Sequence, residues 1–123
     1  YFVQPTIVAD TPPDHPLWEH EMFLPITMVH PVDSLDEAMD LSNRSVYGLT
    51  AGFYGSEEEV KWFFKNIAAG VTYANRPQGA TTGAWPGFQP FGGWKGSGSS
   101  GKNAGGHYYL HLYMHEQIRT YIE

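Results

Sequence analysis

The sequence predicts an α/β fold, and three observations support that prediction. Short apolar stretches rich in β-branched residues alternate with two stretches of helical periodicity along residues 1–76. A serine followed three residues later by a glutamate opens each helical stretch. Glycines and prolines separate the stretches as turns. Strand and helix in alternation are typical of βαβ crossovers, which build a mostly parallel sheet covered by helices.

The first half of this pattern contains two strands and a helix. QPTIVAD and FLPITMVHPV, residues 4–10 and 23–32, are predicted strands separated by the turn-forming TPPDHP. SLDEAMDLSN, residues 34–43, is predicted to be helical because Ser34 and Glu37 form a capping box. Leu35, Ala38 and Met39 follow with helical spacing.

The second half repeats the pattern. YGLTAGFYG, residues 47–55, is a third predicted strand, and SEEEVKWFFKNI, residues 56–67, is a second helix with a capping box of Ser56 and Glu59. Its apolar face, at spacings of three, four and seven, consists of Val60, Phe63, Phe64 and Ile67. Gly70 is the predicted helix stop, and VTYANR, residues 71–76, is the fourth strand.

Two further regions follow the alternating part. Residues 77–106 are rich in glycine and come directly after a predicted strand, where ligands bind in parallel sheets, so they predict a site and not a linker. In residues 107–115, Tyr108, Leu110, Leu112 and Met114 alternate with polar residues. This alternation predicts that residues 107–123 carry a strand that pairs with another sheet, in a second subunit of a homo-oligomer.

Composition argues against several classes of function. The net charge is −6 with only seven Lys and Arg, which leaves no basic stripe for nucleic acid or an anionic membrane. No apolar run approaches the ~20 residues that span a bilayer, and we expect a soluble, cytoplasmic protein. The absence of cysteine excludes disulfides, thiolate metal sites and a thiol nucleophile from these 123 residues.

Two motif matches have ordinary structural interpretations. GSGSSGK, residues 96–102, fits much of a phosphate loop, but no apolar strand precedes it and no helix pattern follows it. Turn glycines are therefore the favoured interpretation. Three histidines, at positions 107, 111 and 115, would lie on one face of a helix. On a strand, two histidines that are four residues apart are separated by about 13 Å, which is too far to share one ion. No metal site is expected.

EMFLP, residues 21–25, offers a carboxylate two residues before an aromatic ring at the entry to a strand. Glu21 could bind the hydroxyl pair of a sugar, and Phe23 could stack on a flat ring. Taken alone, however, these residues favour a helix-capping glutamate and a core phenylalanine.

Five stretches of the chain, in order and over nearly its whole length, resemble the C-terminal part of the aldehyde dehydrogenase superfamily. They are YFVQPTIVAD, EMFLP for the family's E-x-F-G-P, DEAMDLSNRSVYGLTAGFYG, AGVTYAN and PFGGWKGSG. The resemblance implies that residues 1–76 are the C-terminal part of an α/β catalytic domain, that residues 77–106 are a substrate-anchor loop with its return, and that residues 107–123 are an oligomerisation strand.

The resemblance also implies a reaction, the NAD(P)-dependent oxidation of an aldehyde to a carboxylic acid. A cysteine attacks the aldehyde, hydride passes to nicotinamide, and a glutamate-activated water hydrolyses the thioester. Glu21 would bind the cofactor ribose and Phe23 would lie beside the nicotinamide end, although Leu24 replaces the family's usual glycine. The nucleophile, the base and the dinucleotide-binding domain would belong to an upstream remainder of the same enzyme, so no catalytic residue is expected here.

More narrowly, residues 81–106 resemble the branch that oxidises glutamate γ-semialdehyde, the open form of 1-pyrroline-5-carboxylate, to glutamate in proline catabolism. This implies that Gly83 and Ala84 anchor the substrate α-carboxylate through backbone N–H groups and that Phe91 flanks its aliphatic stem. AWPGFQ departs from the branch's small aliphatic stretch, which leaves another aldehyde specificity open.

Two hypotheses of different class follow. In one, the chain is a segment of a dehydrogenase and is inactive alone; in the other, it is an independently folded interaction module without catalysis. The chain begins inside a family motif, which favours the segment.

Overall fold

The computed structural model describes residues 1–77, 84–85 and 87–123. Its two helices are α1 (Leu35–Arg44) and α2 (Glu57–Asn66), and short 3-10 turns lie at Pro16–Trp18 and Leu110–Tyr113. Its strands are β1 (Thr6–Ala9), β2 (Ile26–Val29), β3 (Tyr47–Gly48), β4 (Thr50–Phe53), β5 (Val71–Ala74) and β6 (Trp94–Lys95). The α/β alternation predicted from the sequence is confirmed through β5.

The strands form three separate pairs. β1 pairs with β2 and β4 pairs with β5, both in parallel, and β3 pairs with β6 in antiparallel fashion. The parallel pairing is as predicted, and β4, α2 and β5 make the expected βαβ crossover. The expectation of one continuous sheet is wrong for this chain, because no strand among the described residues lies between the two parallel pairs.

Helix α1 begins at the predicted cap but not with the predicted capping box. The Ser34 hydroxyl accepts a hydrogen bond from the Glu37 backbone N–H at 3.1 Å. The Glu37 carboxylate accepts from the backbone N–H of Asp33 at 2.9 Å, one residue earlier than a capping box requires. At the other end, the Lys95 ammonium donates to the carbonyls of Asn43 and Ser45, at 2.8 and 3.0 Å, where a cation suits the end of a helix.

Helix α2 has the predicted capping box and ends earlier than predicted. Ser56 and Glu59 exchange both hydrogen bonds of the box. The helix ends at Asn66 and Ile67 is already extended, so the predicted stop at Gly70 is wrong. Gly70 has a packing role instead, because a side chain there would overlap the carbonyl of Gly92.

The core lies between the two helices and the β4–β5 pair. Its buried members are Met39, Phe63, Ile67 and Ala69, with Ala51, Phe53 and Trp62 packed against them. The rings of Phe53 and Phe63 stack with centroids 5.0 Å apart. Much apolar surface stays outside this core, including Ile7 on β1 at 74% exposed and Val29 on β2 at 53%.

The C-terminal part differs most from the sequence prediction. Strand β6, which pairs with β3, was not predicted, and residues 107–115 do not form the predicted strand. They form turns and the 3-10 helix Leu110–Tyr113, in which the rings of Tyr109 and Tyr113 meet edge to face at 5.4 Å. No edge within the described residues of the single chain pairs with this segment, so the strand predicted to pair in a second subunit stays a prediction.

Helices in the described part of the chain are all too short and too polar to cross a membrane.

Candidate functional site

Glu21 and Phe23 stand just before β2, in the loop that leads into the parallel pair. The chain turns at Leu24 and Pro25, where the Ile26 N–H donates to the Leu24 carbonyl at 2.8 Å and the Thr6 N–H donates to the Pro25 carbonyl at 2.9 Å. These bonds fix the loop to the start of both strands. The loop therefore holds Glu21 and Phe23 at one end of the β1–β2 pair.

Phe23 has an unusual backbone and an uncovered ring. Its φ is +54°, in the left-handed region, and its side chain is 88% exposed. A bulky residue in this region costs about 1–3 kcal/mol, which the surrounding turn must offset. The ring is not part of the core that the described residues of this chain form.

Glu21 is also exposed and belongs to no helix. No hydrogen bond to its carboxylate is present among the residues that the structure describes. Both carboxylate oxygens can therefore accept hydrogen bonds from a ligand. Among the described residues, Glu21 caps no helix.

The predicted substrate residues lie elsewhere in the chain. Gly83 falls outside the described residues. Ala84 is buried, at 8% exposed, and is followed directly by Trp85. Phe91 is half-buried, and its N–H and C=O are both bonded to the backbone of Ala104, at 2.7 and 3.1 Å. These two hydrogen bonds join the glycine-rich segment around Ala104 to the segment around Phe91.

The glycine-rich stretch 96–102 makes turns against β3. The Ser97 hydroxyl accepts from the Gly48 backbone N–H at 3.1 Å, and Gly101 has a φ of +70°. Within the described residues no α-helix follows the stretch, whereas a phosphate loop requires one directly after it. The positive φ of Gly101 confirms, at that residue, the interpretation favoured from the sequence, namely that these glycines form turns.

A cluster that the sequence analysis missed lies beside Ala84. The Arg76 guanidinium lies 5.6 Å from the centroid of the Trp85 ring and 6.0 Å from that of Tyr73. Tyr73 is on β5, Arg76 follows that strand, and Trp85 comes after the predicted anchor residues. In the sequence, only the spacing Tyr-x-x-Arg at the end of a strand could have indicated that Arg76 contacts Tyr73.

Asn75 fixes the end of β5 next to this cluster. Its φ is +49°, and its side-chain amide both accepts from the Gly55 N–H and donates to the Gly55 carbonyl, each at 2.9 Å. The Tyr54 hydroxyl donates to the Arg76 carbonyl at 2.7 Å. The backbone from which the Arg76 side chain extends is thus tied to the end of β4.

A cleft in the described part of the chain is lined by none of Glu21, Phe23, Ala84 and Phe91. It encloses about 760 Å³ between the 3-10 turn at Pro16–Trp18, β2 and α1. Within it, the Trp18 and His30 rings make a T-shaped contact with their centroids 6.1 Å apart, and the buried His30 Nδ1 has no hydrogen-bond partner among the described residues. No pattern in the sequence indicated this cleft.

The described residues contain no group of three or more His, Asp or Glu side chains placed to hold a metal ion. Nor does a hydrogen bond between described residues join Glu21 or Phe23 to Ala84 or Phe91. Glu21 and Phe23 thus lie just before the start of β2, whereas Ala84 and Phe91 lie in the segment between β5 and β6.

The sequence and the fold of the chain both match a known family. Residues 1–118 match the aldehyde dehydrogenase family, and the chain belongs to it. The 1-pyrroline-5-carboxylate dehydrogenase of Bacillus licheniformis is 40% identical over the whole chain, which covers 23% of that relative.

Solved structures agree with this assignment. A 1-pyrroline-5-carboxylate dehydrogenase from Thermus with bound NAD superposes with a TM-score of 0.70 and 38% identity, over 77% of this chain and 18% of the other. A lactaldehyde dehydrogenase superposes with a TM-score of 0.81 and 31% identity, over 95% of this chain and 23% of the other. The chain therefore spans about a quarter of the length of the relatives that it matches.

Proposed function

We propose that this chain is part of an NAD(P)-dependent aldehyde dehydrogenase that oxidises glutamate γ-semialdehyde to glutamate in proline catabolism. In that reaction the aldehyde carbon loses a hydride to the cofactor and gains an oxygen from water. The observation that carries the proposal is the 40% identity, along the entire chain, to a relative named 1-pyrroline-5-carboxylate dehydrogenase.

The proposed cofactor residues are Glu21 and Phe23. An exposed carboxylate with both oxygens available fits the hydroxyl pair of a ribose, and an uncovered ring fits a flat nicotinamide. When bound, the dinucleotide supplies the acceptor for the hydride. The chain's own contribution is to hold these two groups on the fixed turn that precedes β2.

The proposed substrate residues are Gly83, Ala84 and Phe91. Backbone N–H groups at residues with little or no side chain can approach the α-carboxylate closely, and a phenylalanine suits an aliphatic stem. The burial of Ala84 and the backbone bridge at Phe91 support this role, because both limit the freedom of the residues that would contact substrate.

The chemistry needs groups that these 123 residues lack. The chain contains no cysteine, so the nucleophile would come from the rest of the enzyme, together with the general base and the dinucleotide-binding domain. The exposed apolar residues of β1 and β2 support this proposal, because they offer a surface for the remainder to cover.

The proposal includes assembly and location. Residues 107–123, exposed throughout, would contact another subunit in a cytoplasmic homo-oligomer and would adopt the predicted strand only when paired there.

The experiment that tests the function is an assay of the gene product that contains this chain. We expect glutamate γ-semialdehyde to be oxidised with a kcat/KM at least about a hundredfold larger than that of propionaldehyde, which lacks the groups that the anchor would bind. Equal rates with both aldehydes would indicate another specificity. No oxidation of any aldehyde, with NAD or NADP, would leave the interaction module as the better hypothesis.

The cofactor role has its own test, the Glu21→Gln variant. We expect the KM for NAD to rise about tenfold, because a charged acceptor for the ribose is lost. Glu19→Gln removes the same charge two residues away and is the matched control. An equal effect of both substitutions would mean that Glu21 acts only through general charge.

A further inference from the structure

The cluster of Tyr73, Arg76 and Trp85 spans the sequence that contains the proposed anchor. Arg76 lies seven residues before Gly83, and Trp85 directly follows Ala84. The guanidinium lies within reach of both aromatic faces, at 6.0 and 5.6 Å from the centroids of Tyr73 and Trp85. A cation at these distances is attracted to the electron-rich face of each ring.

Both ends of this contact are held by other bonds. On the upstream side, the Tyr54 hydroxyl bonds the Arg76 carbonyl, and Asn75 is bonded to Gly55. On the downstream side, the Trp85 N–H donates to the Gln89 side-chain oxygen at 2.9 Å, and the Trp85 carbonyl accepts from the Gln89 N–H at 2.8 Å. The Arg76–Trp85 contact thus connects two restrained backbones.

We propose that Arg76 is a positioning residue for substrate: its guanidinium, held against Tyr73 and Trp85, fixes Ala84 where the backbone can bind the substrate α-carboxylate. This inference rests on the proposed function and adds a residue to it. Trp85 departs from the family's small aliphatic residues. In this proposal its ring holds the Arg76 guanidinium in place and does not narrow the substrate pocket.

The contact makes a specific kinetic prediction for the gene product that contains this chain. Arg76→Met and Trp85→Leu should each raise the KM for glutamate γ-semialdehyde about threefold to tenfold, with little change in kcat. The double variant should be no worse than either single one, because each removes the same contact. The KM for propionaldehyde, which has no α-carboxylate to anchor, should stay unchanged.

Three further variants distinguish the stacked contact from a simple charge effect and from the loss of any tryptophan. Trp85→Phe keeps an aromatic face and should restore most of the affinity. Arg76→Lys keeps the charge but loses the flat guanidinium, so it should rescue only partly. Trp94→Leu removes a half-exposed tryptophan on β6, over which no cation lies in the described part of the chain, and should have no effect.

Several outcomes would overturn the inference while leaving the function intact. One is an unchanged KM for glutamate γ-semialdehyde in Trp85→Leu. Another is a KM in the double variant that rises by the product of the two single effects. A third is a wild-type KM in Arg76→Lys, which would mean that Arg76 contributes only its charge. An equal rise in KM for both aldehydes would also contradict it. Inactivity of the unaltered gene product with every aldehyde would instead count against the proposed function itself.

Discussion

Asn43 joins the ends of the two helices through one side chain. Its Oδ1 accepts from the Ala68 backbone N–H at 2.8 Å, and its Nδ2 donates to the Asn66 carbonyl at 2.9 Å. The second bond satisfies a carbonyl at the end of α2, where the helix itself offers no partner. The Asn43 side-chain amide therefore takes the role at the end of α2 that the sequence assigned to Gly70.

Replacing Asn43 with alanine should destabilise the protein by about 1–3 kcal/mol, because a half-buried N–H and a helix-end carbonyl lose their partners. The measurements are the midpoint of thermal unfolding and the hydrogen exchange of the Ala68 amide, which should quicken. Asn66→Ala is the control, since among the described residues that exposed side chain bonds only the Trp62 carbonyl of its own helix. Slow exchange at Ala68 in Asn43→Ala would contradict the assigned role.

The capping box of α2 is the clearest example of an element set by a few adjacent residues. The Ser56 hydroxyl donates to the Glu59 carboxylate at 2.7 Å, and the Ser56 backbone N–H donates to the same carboxylate at 2.7 Å. These two bonds, the side-chain one first, lower the pKa of Glu59. The charged form of Glu59 is thus the one that the folded helix start favours.

This lowered pKa gives a pH dependence with a definite sign. Because the pKa of Glu59 is lower in the folded protein than in the unfolded chain, its stabilising effect is present above the unfolded-state pKa and is lost as the pH falls through the folded-state pKa. In Ser56→Ala the pKa of Glu59 should rise towards its ordinary value. An NMR titration of the Glu59 carboxyl measures this directly.

Ser42→Ala is the matched control for the titration, because it removes an exposed serine of α1 that is distant in sequence from the box. The pKa of Glu59 should not change in that variant. If Ser56→Ala also left the pKa unchanged, the hydrogen bond from the Ser56 hydroxyl would not be its main cause.

At the scale of the whole molecule, the tail, residues 107–123, is the part whose conformation the proposed oligomer would change most. In the single chain every residue of the tail is exposed, and its aromatic groups contact near neighbours, as Tyr109 does Tyr113. The tail also carries alternating apolar residues, which a paired strand would place on one face. These two facts are reconciled if the tail pairs in the assembled oligomer.

Leu112→Asp should therefore reduce the molar mass of the oligomer formed by the gene product, because it places a charge on the face that the alternation predicts to be buried. Light scattering coupled to size-exclusion chromatography measures this mass. His111→Asp introduces the same charge on the opposite face of a strand and should leave the mass unchanged. Dissociation by both variants, or by neither, would contradict pairing as a strand.

The sequence by itself determined the features that depend on adjacent residues. Serine caps, β-branched stretches and helical periodicity correctly predicted β1, β2, β5 and the two helices, because hydrogen bonds within a few residues decide where a helix begins and which stretches extend. Motif order also predicted the aldehyde dehydrogenase family, which residues 1–118 confirm.

Tertiary structure decided what residues far apart in the chain do together. The end of α2 depends on Asn43, 23 residues before Asn66, and the positively charged cap of α1 comes from Lys95, 52 residues after Asn43. The Arg76–Trp85 contact and the separation of the sheet into pairs likewise depend on which segments meet. No local pattern encodes such meetings, because they are set by packing of the whole chain; the same reason left the tail without its predicted strand when no partner edge was present.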